Sequence, residues 1–380
     1  MGKSLKNIAL VFVTLVVMAV LFEFVIFRFV LRAADLPRLQ AGGSAVLKYQ
    51  PNQTGTYRLQ SEIVARYRIN QQGWNSGHFE YDIERSPGVK RICIVGDSYV
   101  EALQVDFDKS FAERLQDELL NAGERIEVFR FGLSGAPLSQ YVYWIKKEVV
   151  KYSPDLIVVN LVHNDFDQSI NPPRGTYSTS FAIVEKVDDE LRLTAPTPYR
   201  RDLSWHIKNS AIFRYLWVRE QIRPDTVRDI LDRVVGLISP SAPINESQSL
   251  AGMNQQESSK TTALSEEEIE AATSFLFDEI SKIERITNTK ILLVMDGDRG
   301  RGLQTGQSNP LNYMVKRLAQ ARSLPLLDLS TMFQADYQQY RKAHQFETDG
   351  HWNARSHALV ASSIKDFLIT NDALLTHRND

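Results

Sequence analysis

Four short clusters in this chain hold the residue types that acyl chemistry through a serine requires. They are Ser98 in KRICIVGDSYVEAL, Gly135 in FGLSGAPLSQ, Asn164 in HND, and Asp349 with His351 in TDGHWN. Such chemistry needs a nucleophile, a base, a group that orients the base, and donors for the tetrahedral oxyanion. Ser98 supplies a hydroxyl, His351 can take its proton, and Asp349 can hold the imidazole tautomer and steady the imidazolium. Backbone N–H groups of Ser98 and Gly135, with the Asn164 side-chain amide, suit an oxyanion hole. Each residue also has a plainer use: Gly96-Asp97-Ser98 is ordinary turn or cap chemistry, Asp349 suits a helix cap, Asn164 a strand-end turn, and Gly135 a backbone requirement.

The elements around these clusters decide between the two. Arg91 to Val95 is an apolar, β-branched run short enough for a strand buried on both faces, and it stops at Gly96. After a short polar link, a helix is expected from about Ser110 to Asn121, closed by Gly123. A second strand, Ile126 to Phe131, runs into Gly132-Leu133-Ser134-Gly135. A helix from Ser139 to Tyr152 and a third strand, Leu156 to Val162, lead to His163-Asn164-Asp165. The pattern resumes at the capping box Ser265–Glu268, with a helix of about 22 residues to Thr287. Strands at Ile291–Met295 and Leu324–Leu329 follow, with a helix near Leu311–Arg322 between them. A loop then leads to Asp349 and His351, and a last helix runs from Ala354 to Ile369. Strands alternating with helices imply a parallel sheet covered on both faces, with ligands at the strand carboxyl ends. Ser98, Gly135 and Asn164 all fall at such ends.

The 380 residues carry a formal net charge of -2 and scattered basic groups, which gives no footprint for nucleic acid. The single cysteine, Cys93, lies inside the first strand and reads as a small buried hydrophobe. Asp296-Gly297-Asp298 fits neither a calcium loop nor a zinc spacing and reads as a turn bordering the site; no metal and no cofactor is expected. Residues 8–27 are apolar except for Glu23, with Arg28 next to the segment, and are long enough to span a bilayer. A cleavable signal peptide is the alternative, though Arg32 sits badly beside Ala33-Ala34. The domain plan is a cytoplasmic tip and anchor over 1–32, a polar lead-in over 33–89, a main domain over 90–370 and a tail over 371–380. An insertion at 170–262 contains a hairpin (Phe181–Leu193), helical stretches near Arg201–Val218 and Thr226–Leu237, and a low-complexity tract from Ser239 to Thr262.

These blocks, in this order, resemble the SGNH (GDSL-type) hydrolase superfamily, and RINQQGWNS resembles the approach to the catalytic block in membrane-anchored bacterial members. The resemblance implies a flavodoxin-like three-layer α/β/α sandwich with Ser98 as nucleophile, His351 as base and Asp349 as acid. It also implies Ser98, Gly135 and Asn164 as oxyanion donors. Two departures stand out. Val162-His163 replace the glycine usual before the Asn-Asp pair, and the acid lies two residues before the base, with Thr348 at the usual minus-three position. The Asp-x-His-Trp form is similar to the alginate-type O-acetyltransferase branch of bacterial polysaccharide export. The expectation is therefore a serine esterase or acyltransferase, anchored in the bacterial inner membrane with its catalytic domain in the periplasm. It would act on O-acetyl groups of an envelope or extracellular polysaccharide. A lysophospholipase or thioesterase is one alternative, and a non-catalytic glycan-binding subunit of an export complex is another.

Overall fold

The computed structural model describes residues 2–42, 46–172, 178–201, 203–222, 264–297, 299 and 309–375; the helix expected at Thr226–Leu237 and the tract Ser239–Thr262 lie outside them. A hairpin of β1 (Gln53–Leu59) and β2 (Ile63–Ile69) precedes the main sheet. That sheet contains β3 (Lys90–Gly96), β4 (Ile126–Gly132), β5 (Leu156–Leu161), β8 (Lys290–Met295) and β9 (Leu326–Asp328). The small hairpin of β6 (Ile183–Val187) and β7 (Glu190–Thr194) lies between β5 and β8 in the chain, where the sequence predicts one. The five main strands are parallel and ordered β4-β3-β5-β8-β9. In order of appearance this is 2-1-3-4-5, the flavodoxin-like arrangement, whose switch point falls between β3 and β5.

Period-two alternation explains how such apolar strands fill two layers. Ile92 and Ile94 of β3 and Val158 of β5 join one cluster, whereas Cys93, Val95, Ile157 and Val159 join the other. The helices that cover these faces are α3 (Phe111–Asn121), α4 (Leu138–Lys147), α5 (Glu266–Thr287), α6 (Pro310–Gln320), α7 (Ser330–Tyr340) and α8 (Ala354–Thr370), after α1 (Gly2–Leu21) and α2 (Ser98–Glu101). On the first face lie Phe111, Leu115 and Leu119 of α3 with Val360 and Ile364 of α8; on the second, Tyr141 and Trp144 of α4 with Leu276 and Phe277 of α5. Each buried Leu or Phe contributes about 1.5–3 kcal/mol. The fold is thus α/β/α in three layers, as expected.

Two local expectations are corrected. No polar link separates Ser98 from a helix: α2 begins at Ser98, capped by Asp97, and ends after one turn because Ala102 takes the left-handed conformation (φ 55°). The stretch after β9 is not a loop but α7, whose buried side has only Phe333 and Asp336, too sparse a stripe for periodicity to reveal. The lead-in also does more than connect. Trp74 is fully buried, with Phe131 of β4 and Trp144 of α4 each 5.3 Å away between ring centroids.

Leu5–Val30 forms a 26-residue helical stretch near the N-terminus, a length and apolarity that suit a membrane span and also a signal sequence. Its carboxyl-terminal end is held by residues 211–215. The Glu23 carboxylate accepts the backbone N–H groups of Ala211 and Ile212 at 2.6 and 3.1 Å, and Phe27 meets Tyr215 at 5.3 Å. Glu23 and Arg28 are 3.5 Å apart.

Candidate active site

Ser98 stands at the carboxyl end of β3, on the first residue of α2. Asp97 shapes the turn: its carboxylate accepts the Tyr99 N–H at 3.0 Å and the Ser98 hydroxyl at 3.3 Å. Burial, partly offset by those bonds, pushes the Asp97 carboxyl up to about 6. The turn packs directly on β4, and Gly132 makes this possible. A Cβ there would lie 2.3 Å from the Glu101 nitrogen and 2.7 Å from the Val100 carbonyl carbon, so no side chain fits.

His351 and Asp349, some 250 positions away in sequence, meet Ser98 here. His351 Nε2 is 2.7 Å from Ser98 Oγ, and His351 Nδ1 is hydrogen-bonded to the Asp349 carboxylate. Asp349 Oδ1 also accepts the His351 backbone N–H at 2.8 Å, closing a two-residue Asx turn. Burial alone would lower the imidazole's pKa, but the hydrogen bond and charge of Asp349 outweigh it and hold His351 above its ordinary value. Burial acts upward on Asp349 as well, and there the hydrogen bonds from His351 and Gln104 prevail, keeping the carboxyl below the usual range. The pair is therefore set to keep Asp349 ionised while His351 gains and loses a proton.

Gly135 and Asn164 lie on the loops that leave β4 and β5 at the same end of the sheet. Gly135 is in the left-handed region (φ 74°), which only glycine adopts readily, so its backbone requirement is real. Beside it, the Ser134 N–H and hydroxyl both bond the buried Glu101 carboxylate, at 3.1 Å for the N–H. Burial pushes the Glu101 carboxyl up to about 7. The exposed Asn164 side chain donates to Gln168 Oε1 at 3.1 Å, across the helical turn Asp165–Gln168. Ser98, His351 and Asp349 are thus joined by hydrogen bonds, and Gly135 and Asn164 share the sheet edge with them. His163 Nε2 lies 2.8 Å from Asn312 Oδ1.

Several residues that hold this assembly were not evident from the sequence. Arg299 donates to Gly350 O at 2.7 Å, to Asp296 Oδ2 at 2.7 Å and to the Tyr99 hydroxyl at 2.5 Å. Asp296 Oδ1 in turn accepts the Trp352 indole N–H at 3.1 Å. One ion pair thereby ties Tyr99, the residue after Ser98, to both neighbours of His351. Trp352, fully buried, packs edge-on against Tyr99 at 4.8 Å, and Tyr99 lies 4.9 Å from the His351 ring. From the β1–β2 hairpin, Glu62 accepts the N–H groups of Glu347 and Thr348 at 2.8 and 2.9 Å. Asp296 carried a signal, as an acidic residue at a strand end. Glu62 and Arg299 carried none, because neither belongs to a motif. Among the described residues no cluster of His, Cys, Asp or Glu suits a metal ion.

No protein-family model and no curated protein sequence matches the chain. Among solved structures it is similar to a two-domain esterase active on acetylated mannans, with 13% identity and a TM-score of 0.39. That match covers 77% of this chain and 51% of the esterase, so the chain spans about half of that protein's length. An acetyl xylan esterase matches with 13% identity and a TM-score of 0.40 over 73% of this chain and 99% of its own. A putative GDSL-like lipase from Parabacteroides merdae matches with 12% identity and a TM-score of 0.40 over 75% and 97%. At such identities and TM-scores, the function has to be argued from the site itself.

Proposed function

We propose that this protein is a serine esterase that forms an acyl-enzyme on Ser98, acting on O-acetyl groups of an envelope or extracellular polysaccharide. The observation that carries the reading is the unbroken chain from Asp349 through His351 to Ser98, with 2.7 Å between His351 Nε2 and Ser98 Oγ. In the first half-reaction Ser98 Oγ attacks the acyl carbonyl as His351 Nε2 takes its proton. Asp349 at Nδ1 steadies the imidazolium, and the imidazolium then protonates the departing sugar oxygen. The Gly135 N–H and Asn164 amide are assigned to the oxyanion, each such donor contributing about 3–4 kcal/mol. Asn164 would exchange its bond to Gln168 for one to the substrate. In the second half-reaction water, activated by His351, releases acetate; a sugar hydroxyl in its place gives acetyl transfer.

The 26-residue apolar helix supports a membrane anchor, with the main domain on the periplasmic side. The short Asp-x-His spacing does not disconnect the acid from the base, which favours a working enzyme over a binding subunit. The test uses the full-length protein in detergent with p-nitrophenyl acetate and an acetylated polysaccharide. Activity should vanish in Ser98→Ala, and a serine-directed phosphonate should label Ser98. Unchanged turnover in Ser98→Ala would remove the serine mechanism. Acetate release compared with acetylation of an added glycan separates hydrolysis from transfer. A phosphatase fused to the carboxyl terminus should be active in intact bacteria.

A further inference from the structure

Where the apolar helix meets the folded domain, the chain lines an open polar cavity of about 460 Å³ that the acyl chemistry does not use. Its wall is assembled from three separate parts of the chain. Arg28 comes from the end of the apolar segment, Asp35, Arg38 and Asn52 from the lead-in, and Asn209 and Arg214 from the insertion. Three guanidinium groups thus share the wall with one carboxylate, and Arg214 pairs with that carboxylate, Asp35, at 3.2 Å. The nearest acid to Arg28 is Glu23, 3.5 Å away, whose oxygens already accept two backbone N–H groups from Ala211 and Ile212. The Arg214 guanidinium also donates to Ala34 O at 2.5 Å, which fixes it in the wall. The cavity therefore holds surplus positive charge.

Its position narrows the anion. At about 1.5 Å per residue, a 26-residue helix exceeds the roughly 30 Å of a hydrocarbon core, so its last turns, with Glu23 and Arg28, stand at headgroup level. We propose that this cavity binds the phosphate of an anionic membrane lipid, a proposal that rests on residues 8–27 crossing the bilayer. Guanidinium forks match phosphate oxygens in pairs, and the amides of Asn52 and Asn209 suit a headgroup rather than an acyl chain. Bound there, the lipid bridges anchor, lead-in and insertion and fixes the height of the active site above the membrane.

The full-length protein would be placed in nanodiscs of phosphatidylcholine with an equal share of phosphatidylglycerol, and retained lipids counted by native mass spectrometry after gentle extraction. The expected result is preferential retention of one phosphatidylglycerol per chain. Retention should fall about fivefold in Arg38→Gln and in Arg28→Gln. Arg38 is the cleaner variant, because its bonds to Gln53 are made by its backbone N–H and C=O. Both variants should keep the lipid-free melting temperature and esterase activity of the parent. Equal retention of the two lipids, or retention unaffected by both substitutions, overturns the proposal. Stabilisation by inorganic phosphate equal to that by phosphatidylglycerol overturns it in favour of a free anion. Carbonate washing separates the two levels: release from membranes refutes the anchor itself, whereas a retained chain without lipid preference refutes only the lipid site.

Discussion

Arg299→Gln is the sharpest perturbation of the site that leaves Ser98, His351 and Asp349 in place. The substitution removes the donors to Gly350 O and the Tyr99 hydroxyl, and it leaves Asp296 buried with only the Trp352 indole and without its cation. The side chains of the pair are only 10% and 2% exposed, so solvent screens little of the loss. Breaking such a buried pair costs about 3–5 kcal/mol of stability. Freed from its tie, the loop bearing His351 no longer holds Nε2 at its distance from Ser98 Oγ; a misplacement of about 1 Å lowers kcat roughly 10²-fold. Arg299 also disfavours protonation of His351, so its removal should move the acid limb of the kcat/KM profile to higher pH. The assay is a pH series on p-nitrophenyl acetate, with thermal unfolding of the same samples. Asp296→Asn combined with Arg299→Gln should recover part of the stability but not the position of the limb, because no carboxylate is then stranded. An Arg299→Gln enzyme with the parent's kcat and an unmoved limb would refute the clamp.

Three further outcomes follow from the same geometry. Asp349→Asn should lower kcat about 10⁴-fold, and the parent's kcat/KM should fall as pH drops through a midpoint above 6.5, because His351 must be neutral to act and its pKa is raised; a midpoint below 6.5 would contradict this. Gly132→Ala forces a methyl group to 2.3 Å from the Glu101 nitrogen, so it should lose about 1–3 kcal/mol in thermal unfolding and most of the activity. His357, whose Nδ1 accepts the Phe111 N–H at 3.1 Å, is pushed down to about 3 by burial. Between pH 6.5 and 3 the unfolded chain alone binds this proton, so stability falls with pH there and is fully present above 6.5. From pH 7 to 5 the parent should lose about 2 kcal/mol relative to His357→Asn, and equal losses in the two would show that His357 titrates normally.

The strands were legible because buried parallel strands are short apolar runs, and Arg91–Val95 and Leu156–Val162 have little else in them. The helix Glu266–Thr287 was legible to the residue because Ser265 and Glu268 announce its start chemically. α7 was not, since Phe333 and Asp336 alone form its buried side. The candidates stood out because Ser98, Gly135 and Asn164 fell at strand ends and Asp349 with His351 fell just before the last helix. Their supports did not, because a residue that acts through another, such as Glu62 on Thr348, leaves no local pattern.

The spacing of acid and base explains why those supports are needed. With the aspartate two residues before the histidine, a single oxygen, Asp349 Oδ1, accepts both the backbone N–H and the ring Nδ1 of His351. Acid and base are thereby locked into one small turn and can move only together. Such a turn fixes the tautomer well but says nothing about the distance to Ser98, which lies at the carboxyl end of β3. That distance has to be set from outside, by Glu62 on one side of the turn and by Asp296 with Arg299 on the other. Thr348 at minus three is then no misplaced acid. Its N–H and hydroxyl are the handles by which Glu62 holds the turn. Removing Glu62 should therefore lower kcat while leaving the bond between Asp349 and His351 intact, a combination measurable as slower turnover with an unshifted acid limb.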